Sequence, residues 1–163
     1  MTDRLRAQEI RLNRDDMLIT IPNAQKLRPD LLTGGQPSEA QFLAAKEAGY
    51  QTVINLRGVG EPGTDTAPSM LAQAGVAYIH IPINGPGALT VDNAKLLDAA
   101  LKESGGPVMV HCASGNRVGA LFALRAFHLE GHSLEEALNV GRSTGMTRME
   151  PMVRQLLERS AQS

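Results

Sequence analysis

The chain has 163 residues, a length that suits one domain, and its 42% hydrophobic and 20% charged residues allow a packed core and exclude a wholly disordered chain. A net charge of -1 supplies neither the basic field of a nucleic-acid binder nor a polybasic membrane patch, so anion binding must come from local geometry. Aromatic residues make up 3% with no Trp, which leaves Leu, Val, Ile, Ala and Met to build the core, and the single cysteine, Cys112, excludes an intrachain disulfide.

The opening stretch MTDRLRAQEIRLNRDD is charged throughout and reads as part of a polar, partly helical arm over residues 1–20, ahead of a single α/β domain over 21–160. It holds no apolar signal core. No apolar run approaches the roughly 20 residues that span a bilayer. A cytoplasmic protein without nucleic-acid or membrane partners is expected.

LLTGGQP reads as a short strand ending in a tight glycine turn. The helix PSEAQFLAAKEAG follows, with Ser38 and Gln41 spaced as a capping box and Gly49 as its stop. QTVINLR is a β-branched strand, GVGEPGTDTAP a loop of turn residues, SMLAQAG a short helix and VAYIHIPI another strand. After the loop NGPGAL, Thr90 caps the helix VDNAKLLDAALKES, and GGPVMVH forms the next strand. Three helices close the chain: RVGALFALRAFHLE, SLEEALNVGRSTG with the capping pair Ser133 and Glu136, and EPMVRQLLERS.

Strands alternating with helices predict parallel βαβ units: a three-layer α/β fold with a central, mostly parallel sheet of about four to five strands flanked by helices. VMVH shows no apolar alternation, as a central strand buried on both faces requires. The helix after it is apolar nearly all round, at Val118, Leu121, Phe122, Leu124 and Phe127, and should also be buried. In such sheets ligands bind beyond the carboxyl ends of the strands. The stretch HCASGNR, residues 111–117, lies at such a point.

A loop between a strand and a helix N-terminus presents unpaired backbone N–H groups, which attract an anion together with the helix dipole. Gly115 lets the backbone curl. Arg117 can fork onto two oxygens of a phosphate or sulfonate-like group. The same field favours a nucleophilic thiolate at Cys112. His111, just before it, either orients the loop or is a hydrogen-bonded core histidine. The loop can thus serve a phosphate in transit to water, a sulfur atom in transit to an acceptor, or an anion that never reacts.

HC…G…R after a buried strand resembles the signature of the Cys-dependent protein phosphatases, especially their dual-specificity branch. The pieces TGGQPSEAQF, TVINLRGVGE, AYIHIPI, HCASGNRVGAL and EEALNVGR resemble a narrower bacterial group, the phosphatase-like domain of beta-lactamase-hydrolase-like proteins, over about Leu27 to Leu157. The resemblance implies a dual-specificity-phosphatase-like fold and makes Cys112 the nucleophile. It gives the amides of Ala113, Ser114, Gly115 and Asn116 to the phosphate, with Arg117 as the clamp. A phosphocysteine forms and water then hydrolyses it; no metal or organic cofactor is implied. The expected substrate is a phosphorylated small molecule or a phosphoprotein, and the loop is expected to hold phosphate or sulfate.

Three departures from that pattern stand out. Four residues separate Cys112 from Arg117 where the phosphatases have five, a span that resembles the rhodanese sulfurtransferases. Val118 replaces the usual Ser or Thr that helps the thiolate leave. Asn84 stands where the family places its general acid Asp, and an amide cannot supply that proton. Glu61 and Asp65, in the loop after TVINLR, are the candidate substitutes. Arg57 ends that strand and either adds positive charge for substrate or pairs with Glu61. The rivals to a phosphatase are therefore a rhodanese-like sulfurtransferase or persulfide carrier, and a non-catalytic anion-binding domain.

Overall fold

The computed structural model describes residues 21–61 and 67–161. The expected polar arm over 1–20 and the candidate acid Asp65 lie outside these described residues. In chain order the elements are β1 (Gln25–Arg28), β2 (Leu31–Gly34), α1 (Glu39–Glu47), β3 (Thr52–Asn55), α2 (Ala67–Gln73), β4 (Ala77–His80), a single 3-10 turn (Pro86–Ala88), α3 (Val91–Glu103), β5 (Val108–His111), α4 (Asn116–Leu129), α5 (Leu134–Ser143) and α6 (Glu150–Ala161). Both expected capping boxes form: Ser38 with Gln41 opens α1, and Ser133 with Glu136 opens α5. Thr90 caps α3 through the N–H of Asn93. Among the described residues no helix is long and apolar enough to cross a membrane.

Among the described residues the sheet has five strands in the order β1-β2-β5-β3-β4. β2, β5, β3 and β4 run parallel, and β1 is an antiparallel edge. Side chains that alternate along each strand feed two cores. Leu31, Ile54, Val108 and Val110 pack with α3, α4, α5 and α6 on one face, while Leu32, Val53 and Met109 pack with α1 and α2 on the other. Such a sheet, covered on both faces, is the three-layer arrangement that the unbroken apolar run VMVH demands. Each fully buried Leu, Ile or Val contributes about 1.5–3 kcal/mol relative to exposure.

The parallel register brings the carboxyl ends of β2, β3 and β5 level, with Gly34 and Asn55 both opposite His111. The ladder runs one step further on each side of β5. Leu56 N–H donates to His111 O at 2.8 Å, and Cys112 N–H donates to Gly34 O at 3.2 Å. Cys112 is thus pinned at the centre of the sheet's carboxyl edge before the chain turns into α4. On the other side of α4, helix packing is close enough to require glycine. A Cβ on Gly119 would sit 2.1 Å from Met146 N and 2.5 Å from Gly141 O. That contact holds the α5–α6 connection against the start of α4.

Candidate active site

The Cys112–Arg117 loop folds back over its own cysteine. Cys112 is fully buried, and its Sγ accepts the N–H of Gly115 at 3.0 Å. Gly115 is the N-cap of α4 with φ of 95°, a left-handed conformation in which glycine alone avoids a Cβ penalty. Among the described residues no side chain caps this helix. Its first-turn N–H groups, which have no intrahelical acceptors, are left for a ligand or solvent.

The loop is gripped from three sides. Gln36 N–H donates to Ala113 O at 3.0 Å, and Asn23 Nδ2 donates to Ser114 O at 2.9 Å. Gly35 passes so near that a Cβ there would meet Ala113 O at 2.5 Å. From the other flank, the buried Asn116 side chain accepts the N–H groups of Thr147 and Met149 at 2.9 and 3.4 Å. Gln36 and Gly35 belong to TGGQP, one of the stretches that carries the resemblance. The roles of Asn23 and of the Asn116 amide have no sequence signal, because their partners lie about ninety and thirty residues away.

Arg117 is held by Glu61. Its Nη1 and Nη2 donate to Oε2 and Oε1 of that carboxylate at 2.8 and 3.0 Å, and Nη1 also reaches Ile83 O at 3.1 Å. The same carboxylate accepts Arg57 Nε at 3.0 Å and the N–H of Gly58. Arg57 in turn donates from Nη1 to Gln36 Oε1 at 2.7 Å. Of the two readings open for Arg57, the structure thus places it in the pair with Glu61. The Arg117 hydrogen bond above all, then Gly58 N–H and Arg57, outweigh partial burial and lower the Glu61 carboxyl to about 2. Glu61 is therefore ionised at neutral pH and in this arrangement carries no proton to give. The Glu61 carboxylate, and next the nearby Cys112, push Arg117 above its usual value against the effect of burial.

His111 is buried, with its ring edge-on to Phe42 at 5.6 Å between centroids. Nδ1 lies 3.3 Å from Cys112 O, to which it donates in the Nδ1–H tautomer, and Nε2 meets no partner among the described residues. Burial lowers its pKa to about 4, so it is neutral where most proteins work. Asn84 Oδ1 accepts Val59 N–H at 3.1 Å, which ties the two loops at the mouth together. Gly58 leaves room for that amide: a Cβ there would lie 2.2 Å from Asn84 Oδ1. A cavity of about 300 Å³ opens over the loop, with Asn84, Ser114, Asn116, Arg117 and Arg148 in its wall and no carboxylate among the described residues that line it.

Cys112, Arg117, the loop amides, Glu61, Arg57, Asn84 and His111 therefore gather at one end of the sheet. A buried cysteine at the carboxyl end of a central parallel strand, under a glycine turn and beside a fixed arginine, defines a phosphatase-like α/β domain. Solved structures share this fold. A candidate phosphatase (DUF442) from Shewanella putrefaciens CN-32 superposes with a TM-score of 0.67 at 23% identity, over 89% of this chain and 97% of that one. The core catalytic domain of the PP-IP phosphatase SIW14 from S. cerevisiae does so with a TM-score of 0.62 at 18% identity, over 85% of each.

Within that class the sequence goes further. Residues 24–127 match the phosphatase-like domain of beta-lactamase hydrolase-like proteins, and the chain belongs to that family. A beta-lactamase hydrolase-like protein of Xylella fastidiosa (strain Temecula1 / ATCC 700964) is 36% identical over 98 residues, which are 58% of this chain and 22% of the relative. The chain thus spans less than a quarter of that relative's length.

Proposed function

We propose that this domain hydrolyses phosphate monoesters through a phosphocysteine on Cys112. The observation that carries the reading is the loop itself: the Gly115 N–H lies 3.0 Å from Sγ, and Arg117 is fixed at the same loop's far end. The thiolate attacks phosphorus, the S–P bond forms and the P–O bond to the leaving group breaks. The leaving oxygen departs with the electron pair and takes a proton from solvent. Water then attacks phosphorus, the S–P bond breaks, and inorganic phosphate leaves with the thiolate restored. The loop amides and Arg117 stabilise the oxygens on which charge develops. Among the neighbours of the same fold, SIW14 is a PP-IP phosphatase crystallised with citrate, which supports an anionic substrate for this chain.

The reading implies activated substrates, because Glu61 is ionised and Asn84 is an amide. A persulfide carrier is the second reading, favoured by the four-residue span and by Val118, whose buried side chain offers no hydroxyl to help a phosphocysteine break down. Hydrolysis of an activated aryl phosphate by the wild type and by Cys112→Ser separates the two. Turnover that vanishes in Cys112→Ser is expected. Absence of turnover in the wild type, with a sulfur atom gained on Cys112 after thiosulfate treatment, overturns the phosphatase reading in favour of the carrier.

A further inference from the structure

The α5–α6 connection contributes an arginine to the mouth that neither the catalytic loop nor its supporting network uses. Arg148 is exposed and lies between Thr147 and Met149, the two residues whose N–H groups are both held by Asn116 Oδ1. Asn116 is itself 5% exposed and immediately precedes Arg117. The backbone carrying Arg148 is therefore anchored by a residue of the catalytic loop. Gly145 tightens the same connection: its φ is 122°, and a Cβ there would sit 2.6 Å from Gly115 O.

The charges around Arg148 are distributed unevenly. Arg142, the other arginine of GRSTGMTR, is neutralised by Glu150 through contacts of 2.6 and 2.9 Å. Arg148 has no ion-pair or hydrogen-bond partner for its guanidinium among the described residues. It lines the cavity of about 300 Å³ over the loop and also a neighbouring hollow of about 350 Å³, and the two share Ser114, Asn116 and Arg148 in their walls. Neither has a carboxylate among the described residues that line it. Volumes of this order suit small molecules. An unpaired guanidinium on an anchored segment is arranged to take an anion bidentately.

We propose that Arg148 is a specificity residue for a second anionic group. The substrate is then a small phosphate ester that carries a further phosphate or carboxylate, with its scissile phosphate over Cys112 and its second anion at the rim. This rests on the phosphatase reading for the first phosphate alone. Ser114, exposed between the two hollows, lies along the path between these positions.

The test is binding, which needs no turnover. Titration calorimetry compares methylphosphonate with methylene- and trimethylene-bisphosphonate on the wild type, Arg148→Gln, Arg148→Lys and Arg142→Gln. The wild type should bind at least one bisphosphonate about tenfold or more tightly than methylphosphonate, the scale of one charge-assisted pair. Arg148→Gln should bring that ratio close to one, Arg148→Lys should restore part of it, and Arg142→Gln should keep it. A ratio unchanged in Arg148→Gln, or lost in Arg142→Gln instead, overturns the proposal. So does a phosphotyrosine peptide with an adjacent acidic residue that binds more tightly than any bisphosphonate in an Arg148-dependent way, since the second anion then belongs to a protein. Aryl phosphate turnover without the bisphosphonate preference refutes this assignment and spares the catalytic one. The preference without turnover does the reverse.

Discussion

Glu61→Gln removes one charge from the centre of the site's polar network and leaves the side chain's shape. Its carboxyl lies at about 2 against an ordinary 4.5. At about 1.4 kcal/mol for each tenfold change in proton affinity, that difference sets a ceiling of about 3 kcal/mol on the ionised group's contribution to stability. The side chain is 28% exposed, so screening by solvent brings the expected loss at pH 7 to about 1–2 kcal/mol. For a chain of this size this is a fall in Tm of about 2–8 °C.

The sign follows from proton binding. Below about 4.5 the unfolded carboxyl takes up a proton that the folded one refuses, so the contribution shrinks as pH falls from 4.5 and is gone near 2. Denaturant unfolding at pH 7, 4 and 3 should therefore show the wild type's advantage over Glu61→Gln narrowing with acid. Kinetics supply a second discrimination. A residue that positions Arg117 should, when altered, slow aryl and alkyl phosphates by the same factor, whereas a proton donor should slow alkyl phosphates selectively. Equal stability of the two proteins at pH 7, or a selective loss on alkyl substrates, would refute the ion-pair role.

Two further predictions concern the loop's supports. Asn116→Ala removes the acceptor for two N–H groups of the α5–α6 connection and should cost about 1–3 kcal/mol, read as a shift in denaturation midpoint; an unchanged midpoint means that the clamp is not formed. His111 is neutral when folded because burial lowers it to about 4, while the unfolded ring takes a proton near 6.5. Stability should accordingly fall as pH drops from 6.5 towards 4, and His111→Gln should flatten that part of the stability–pH curve.

What the sequence reveals of this fold depends on where each residue finds its partner. VMVH is apolar enough to declare a doubly covered central strand, TVIN reads as a strand from its β-branched residues, and Ser38, Thr90 and Ser133 cap helices through partners three residues away. β1 escapes such reasoning. QKLR is exposed at all four positions, shows no apolar alternation, and is a strand only because β2 offers it an edge, across a bulge between Lys26 and Arg28. The site divides likewise. Cys112, Gly115 and Arg117 are adjacent and announce an anion-binding turn. The Glu61–Arg117 pair crosses 56 residues and exists only because β3 and β5 are neighbours with level ends. Sequence reading brings Glu61 to the right end of the sheet as a proton donor; the two arginines around it make it an ionised brace.

That reassignment sharpens what the site should be able to do. With Glu61 ionised, Asn84 an amide, and no carboxylate in the described lining of the cavity over the loop, no described side chain is placed to give a leaving oxygen its proton. The rate should depend steeply on leaving-group acidity, with alkyl phosphates falling behind aryl ones by the about 10²–10⁴ that general acid catalysis is typically worth. Asn84→Asp tests this by addition. The carboxylate oxygen can still accept Val59 N–H, so the loop contact survives, while the new acid lines the same cavity as Arg117. Arg117 favours the ionised form of the new carboxyl and the neighbouring Glu61 carboxylate opposes it; the acid works only while protonated, so the gain should fade as pH rises through its titration. The expected outcome is a rise in alkyl phosphate kcat/KM, with aryl phosphate turnover little affected and a descending basic limb that the wild type lacks. Wild-type turnover of alkyl phosphates as fast as aryl ones would mean that a proton donor already serves the leaving group despite the ionised Glu61 and the amide at Asn84.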